Sequence, residues 1–206
     1  MIIFNIADRF LAMHDQLLQL RQLIQAVYPL PDEDWHAFTG IWQPFSAKRK
    51  EIITAAGERE KYLYFVLEGL QRVYYYDEQD REATLVFTYA PSFGGVLDAM
   101  MLHQPSRYTY ETLTPSFFLR APYHEVEIIM KNRPAVETMV RMGVTNALSG
   151  LLERLAEIQC YSSEDKFRKL LQRSPHILQL VPHKYLANYL GIDPTNFSKI
   201  INKIKI

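Results

Sequence analysis

The last 26 residues, VPHKYLANYLGIDPTNFSKIINKIKI, constrain this chain more than any other stretch, because they read as a helix, a tight turn and a second, basic helix. Ala187 and Gly191 stand four apart, and Leu186, Leu190, Ile192, Phe197, Ile200 and Ile201 supply apolar positions around them. A small residue lets the second helix cross closely over the first, and glycine provides turn geometry that a side chain would obstruct. Asp193 is placed to cap the second helix and Pro194 to open it, since proline has no N–H to lose there. The remaining positions, Thr195, Asn196, Ser198, Lys199, Asn202 and Lys203, are hydrogen-bonding or cationic and include no carboxylate. Such a surface suits the phosphates and base edges of double-stranded DNA. Thr195, Asn196 and Lys199 are expected to read bases, while Ser198, Asn202, Lys203, His183 and Lys184 position phosphates. The alternative is an amphipathic hairpin that closes a bundle. The coincidence of turn chemistry, apolar spacing and an acid-free outer face favours DNA.

A net charge of zero sits badly with nucleic-acid binding until it is divided by position. Residues 161–206 hold eight Lys or Arg (166, 168, 169, 173, 184, 199, 203 and 205) against three acids (164, 165 and 193), a net of +5. The first 160 residues therefore carry −5, with 15 basic and 20 acidic side chains. An acidic front and a basic tail suggest two modules with different partners. Cys160 is the only cysteine, which excludes an intrachain disulfide, a Cys-held iron–sulfur cluster and a four-cysteine zinc site. No stretch approaches about 18 uncharged apolar residues and the N-terminus lacks the pattern of a secretion signal, so no membrane contact is expected and the cytoplasm is the expected location.

Along the chain, residues 5–28 show helical periodicity through Leu17, Leu20, Ile24 and Val27 until Pro29 interrupts it, and a short helix is expected from Asp32. From Phe45 to Leu119 the signal becomes β-prone runs: YLYFVLEG (62–69), LQRVYYYD (70–77), ATLVFTYA (83–90), RYTYETL (107–113) and SFFLRAP (116–122). Their spacing predicts an antiparallel sandwich or barrel, with Gly69 as a strand-to-strand turn. Val144, Leu148, Leu151, Leu155 and Ile158 then alternate four and three apart. This narrow seam, flanked by Arg141, Glu153, Arg154 and Glu157, suits a partner helix in a homodimer. A long helix lying across its own barrel is the other reading. The expected fold class is α+β, divided into an antiparallel sandwich or barrel with N-terminal helices (1–134), a dimerisation helix (135–160) and a helix-turn-helix domain (161–206).

This order resembles the Crp/Fnr family of bacterial transcription regulators over nearly the whole chain. The match rests on YFVLEGLQRVYYYDEQDREATLVF (64–87) as the family's roll hairpin, Ser92-Phe93-Gly94-Gly95 at the start of its ligand cassette, and VPHKYLANYLGIDPTNFSKI as its DNA-binding element. The resemblance makes the domain of residues 1–134 a β-roll and implies a dimeric regulator, with RNA polymerase and a small-molecule effector as further candidate partners. Departures from the family pattern bear on the effector. Where cyclic-AMP-binding members carry a Glu for the ribose and, ten residues later, an Arg for the cyclic phosphate, this chain has Gly95 and Pro105, although Ser106 matches the hydroxyl that follows. A buried phosphate without a guanidinium is costly to desolvate, so conventional cyclic-nucleotide binding is not expected and the chain is placed in a subgroup lacking that Glu and Arg. A pocket of Phe93, Gly94, Gly95, Ser106, Arg107 and Tyr108, with Tyr89 and Tyr110 as further walls and Arg107 as the nearby cation, suits a small, largely apolar ligand or none. The wing that follows the recognition helix in many members is not expected, nor is the Arg-Glu reading pair of some members. No cofactor is expected, although six His residues neither exclude nor suggest haem.

An enzyme is not expected. Between residues 45 and 122 there is one His, His103, where a metal-binding cupin needs a converging set. His124-Glu125 lacks the second His of a zincin motif, and neither G-x-S-x-G nor a P-loop occurs. The competing function is a sensor module of the same fold acting on a protein partner.

Overall fold

The structure, a computed structural model, describes residues 6–203. Asn5, the expected start of the first helix, and residues 204–206, which include Lys205, lie outside that range. The described residues form two compact units, one of residues 6–73 with Thr88–Val144, the other of Tyr74–Phe87 with residues 145–203.

The first unit opens with α1 (Ile6–Val27) and α2 (Asp32–Thr39). The strands are β1 (Gln43–Ala47), β2 (Ile52–Thr54), β3 (Tyr62–Glu68), β4 (Leu70–Tyr76), β5 (Glu82–Tyr89), β6 (Ser92–Gly94), β7 (Thr109–Thr112) and β8 (Ser116–Pro122), with α3 (Leu97–Met101) between β6 and β7. The first unit holds every strand except the end of β4 and most of β5, which belong to the second. They form two antiparallel sheets, in the orders β1-β8-β3-β6 and β2-β7-β4-β5. The expected strands are all present. β1, β2, β6 and α3 are additional: β2, β6 and α3 are too short to show a period, and QPFSA of β1 has no apolar alternation. Gly69, with φ +90°, joins β3 to β4, and a Cβ there would meet the Pro115 carbonyl oxygen at 2.6 Å.

Strand alternation divides the first sheet into two environments. On its outer face Phe65, Leu67, Leu119 and Ala121 pack with Leu20 and Ile24 of α1, Trp35 and Phe38 of α2, and Val126 of α4 (Tyr123–Asn132). On its inner face Tyr64 and Phe118 meet at 5.6 Å between ring centroids, and Tyr64 reaches Tyr110 of the second sheet at 5.9 Å. The roll is thus lined by aromatic side chains, and the cross-strand Arg72–Glu111 pair at 2.9 Å neutralises a buried charge on its second sheet.

α5 (Pro134–Cys160) is the long helix expected for 135–160. In the second unit α6 (Ser163–Arg173), α7 (Ile177–Leu180), α8 (His183–Leu190) and α9 (Pro194–Lys203) follow. α6 starts where Ser162 caps it, accepting from the Asp165 N–H at 3.2 Å. Arg173 binds Glu157 of α5 through both guanidinium nitrogens, at 2.5 and 2.9 Å. Arg154 donates to the Tyr189 carbonyl and stacks on its ring. Glu153 is a further partner of Arg173, at 3.9 Å, so three of the four charges expected to flank a seam on α5 engage the C-terminal helices instead.

Candidate nucleic-acid interface and ligand cassette

The turn between α8 and α9 follows from its residues. Gly191 has φ +62° and closes α8 in the left-handed region, which glycine enters without a steric penalty. Ala187 is buried, and its carbonyl accepts from Ile192 N–H at 2.9 Å across the turn. Asp193 accepts from the N–H groups of Thr195 at 2.9 Å and Asn196 at 3.1 Å, so the carboxylate covers the orphan donors of α9. Phe197 and Ile200 are buried, and Phe197 meets Phe167 of α6 edge-to-face at 5.5 Å.

Every polar position on α9 falls on the opposite side. Thr195, Asn196, Ser198, Lys199, Asn202 and Lys203 are all exposed and, at 3.6 residues per turn, occupy an arc of about 160°. Their side chains are not equally free. Ser198 donates to the Pro194 carbonyl at 3.0 Å, and the Lys203 ammonium pairs with Glu164 at 2.5 Å. Thr195, Asn196, Lys199 and Asn202 make no side-chain hydrogen bond or ion pair among the described residues. His183 and Lys184 are exposed at the start of α8. The His183 ring lies 6.1 Å from Phe197, and the Lys184 ammonium sits 4.6 Å over Tyr185.

The seam residues of α5 also face outward in the single chain: Leu148 is 54%, Leu151 50%, Leu155 51% and Ile158 39% exposed, and Val144 is half-buried. Leu152, outside the expected seam, is exposed to the same degree.

The cassette differs from its expected layout. Tyr64 pairs with Gly94 and Phe65 with Phe93 across β3 and β6, so the glycine faces the roll interior and Phe93 the outer core. Phe93 accordingly packs against Phe65 and Trp42 and does not line the interior. The space in front of Gly94 is taken by Tyr110, whose Oη would lie 2.3 Å from an added Cβ. Gly95, at φ +108°, holds a conformation that a Glu side chain would strain. The Ser106 hydroxyl is buried, donating to the Tyr108 carbonyl at 2.7 Å and accepting from its N–H at 3.0 Å. Arg107 is exposed and stacks on Tyr108. The expected cation is thus exposed and the expected hydroxyl is spent within its own turn.

Two groups that sequence reasoning missed stand nearby. Glu60 is buried, and its carboxylate lies 3.5 Å from the position of a Gly95 Cβ. Burial raises its pKa, opposed by donors from Thr54, Tyr62, Val96 and Lys61. Arg120 of β8 lies between the rings of Phe45, at 4.3 Å, and Tyr62, at 4.4 Å. The alternation of SFFLRAP was the available signal, since it gives Arg120 the inward parity of Phe118. Among the described residues no group of three or more His, Cys, Asp or Glu gathers to hold a metal, and no helix is long and apolar enough to cross a membrane.

Residues 44–133 match the family model of the Cyclic nucleotide-binding domain. No curated protein matches the chain in sequence. Solved structures match its fold. FixK2 from Bradyrhizobium japonicum superposes with a TM-score of 0.72 at 15% identity, covering 79% of this chain and 84% of that one. A protein from Eubacterium rectale assigned to the Crp/Fnr family of transcriptional regulators gives 0.66 at 19% identity, covering 84% and 83%. The c-di-GMP-responsive global regulator CLP of Xanthomonas campestris gives 0.63 at 14% identity, covering 84% and 91%. Residues 44–133 thus carry a cyclic nucleotide-binding domain fold, and the chain shares its architecture with regulators of the Crp/Fnr type.

Proposed function

We propose that this chain is a DNA-binding transcription regulator of the Crp/Fnr type, acting as a homodimer, with α9 as the recognition helix. The observation that carries the reading is the acid-free face of α9, held outward by the Asp193 cap and the Phe197–Phe167 contact. Asn196, Lys199 and Thr195 reach base edges, and Asn can bond an adenine bidentately. Ser198, Asn202, His183 and Lys184 steady the phosphates. Lys203 contributes only if DNA draws it from Glu164. The exposed leucines of α5 are buried in the dimer. Two-fold symmetry then sets the recognition helices about 34 Å apart, one DNA turn.

The cassette does not take a cyclic nucleotide in the family's manner. Gly94 is backed by Tyr110, Gly95 by Tyr64 and Glu60, the serine is bonded within its own turn, and Arg107 is exposed.

Retardation of duplex DNA across a salt series tests the regulator reading. A DNA reader loses affinity steeply and linearly in log salt as counterions are released. A module that acts only through a protein partner gives no retarded complex. Leu151→Glu with Leu155→Glu should yield monomers by light scattering and lose the retarded complex. A double variant that stays dimeric removes α5 from the interface.

A further inference from the structure

The inner face of the roll contains two donor groups that make no hydrogen bond or ion pair among the described residues. Arg120, Tyr64 and Gly94 stand in one row across β8, β3 and β6, so all three point to the same side of the sheet. The Arg120 guanidinium is sandwiched between Phe45 and Tyr62. Its Nε is sealed from solvent without a hydrogen-bond partner, and it has no ion-pair partner among the described residues. Beside it the Tyr64 hydroxyl makes no hydrogen bond among the described residues. Burial, with the Glu60 charge behind it, raises the Tyr64 pKa well above the usual phenol range, so the group remains a neutral donor. The nearest buried carboxylate cannot serve Arg120, because Glu60 is engaged by Thr54 Oγ1 at 2.8 Å and by the N–H groups of Lys61, Tyr62 and Val96.

A guanidinium carries five N–H donors in a planar fork, and orphaned buried donors and unpaired partly buried charges are costly to maintain. Cation–π contact with two rings offsets part of that cost, but it leaves the edge of the fork open. An oxyanion meets that edge bidentately, and its remaining lone pair is available to a neighbouring hydroxyl. Phe45, Tyr62 and Arg120 are each half-buried, which gives this end of the roll access to solvent.

We propose that the roll binds a small oxyanion, a carboxylate or a phosphate, on Arg120 and the Tyr64 hydroxyl, beside the cassette and not within it. Binding itself is independent of DNA; its use as an effector signal rests on the regulator reading above.

Titration calorimetry of the full chain with sodium phosphate, and separately with sodium benzoate, tests the site and distinguishes the two anion sources. At least one probe should bind saturably, one per chain. Arg120→Gln should weaken it by about tenfold or more, as expected for loss of a charge-assisted pair. Tyr64→Phe should weaken it less, and Arg107→Gln should leave it unchanged. Should Arg120→Gln not fold, Arg120→Lys keeps the charge and loses the fork, and it should also weaken binding. Failure of both probes to bind, wild-type affinity in a folded Arg120 variant, or loss of binding in Arg107→Gln would overturn the proposal. DNA retardation by the same preparation reports on the regulator reading separately.

Discussion

On α9 the hydrogen-bonding side chains stand outside a closed hydrophobic joint, whereas in the cassette between β6 and β7 the buried hydroxyl is consumed within its own turn and the one arginine lies against a neighbouring ring. Thr195, Asn196, Lys199 and Asn202 are exposed and unspent, while Phe197 and Ile200 carry the packing. In the cassette the Ser106 hydroxyl closes its own turn and the volume before Gly94 is filled by Tyr110. A recognition surface needs both a rigid platform and donors left over after folding. The cassette has the platform alone. The leftover donors of the roll lie further along the same sheet, at Arg120 and Tyr64.

The contrast can be broken most severely from beneath α9. Phe197→Ala removes a fully buried ring from the joint with Phe167 and should cost about 3–5 kcal/mol in urea unfolding of the helix-turn-helix. Thr195→Ala, on the outer face, should fall within about 0.5 kcal/mol of wild type. In the cassette the same logic inverts. Gly94→Ala adds one methyl against the Tyr110 hydroxyl at 2.3 Å and should cost about 1–3 kcal/mol by overpacking. A neutral result would show that the space before Gly94 is open. Among the destabilising changes the smallest loss is expected at Asp193→Ala, which uncaps Thr195 and Asn196 N–H for about 1 kcal/mol, read as reduced helicity or an earlier thermal midpoint.

The helix-turn-helix was legible in the chain because its determinants are local. Capping, the left-handed glycine and the apolar spacing all fall within a few residues, and Asp193, Gly191 and Phe197 take the roles that spacing assigns them. β3, β4, β5, β7 and β8 were legible for the same reason. The roll interior was not. Tyr110, Glu60 and Arg120 reach it from strands and loops far apart in sequence, and register decides which face each occupies. Phe93 and Arg107 belong to the cassette in sequence, but Phe93 packs on the outer core and Arg107 is exposed. On α5 the apolar seam was legible, but the flanking charges were not. Arg154 and Glu157 are claimed by Tyr189 and Arg173, partners that no helical period reveals.

Enrichment of bound duplexes from a random-sequence DNA pool, with the wild-type chain and with Asn196→Ala and Lys199→Ala, tests the central claim most directly. The account predicts that wild type enriches a two-fold symmetric site with half-sites one helical turn apart, and that each variant loses preference within the half-site at a cost of about 1–3 kcal/mol. No enrichment by the wild-type chain, or the same site recovered by both variants, would contradict α9 as the reader.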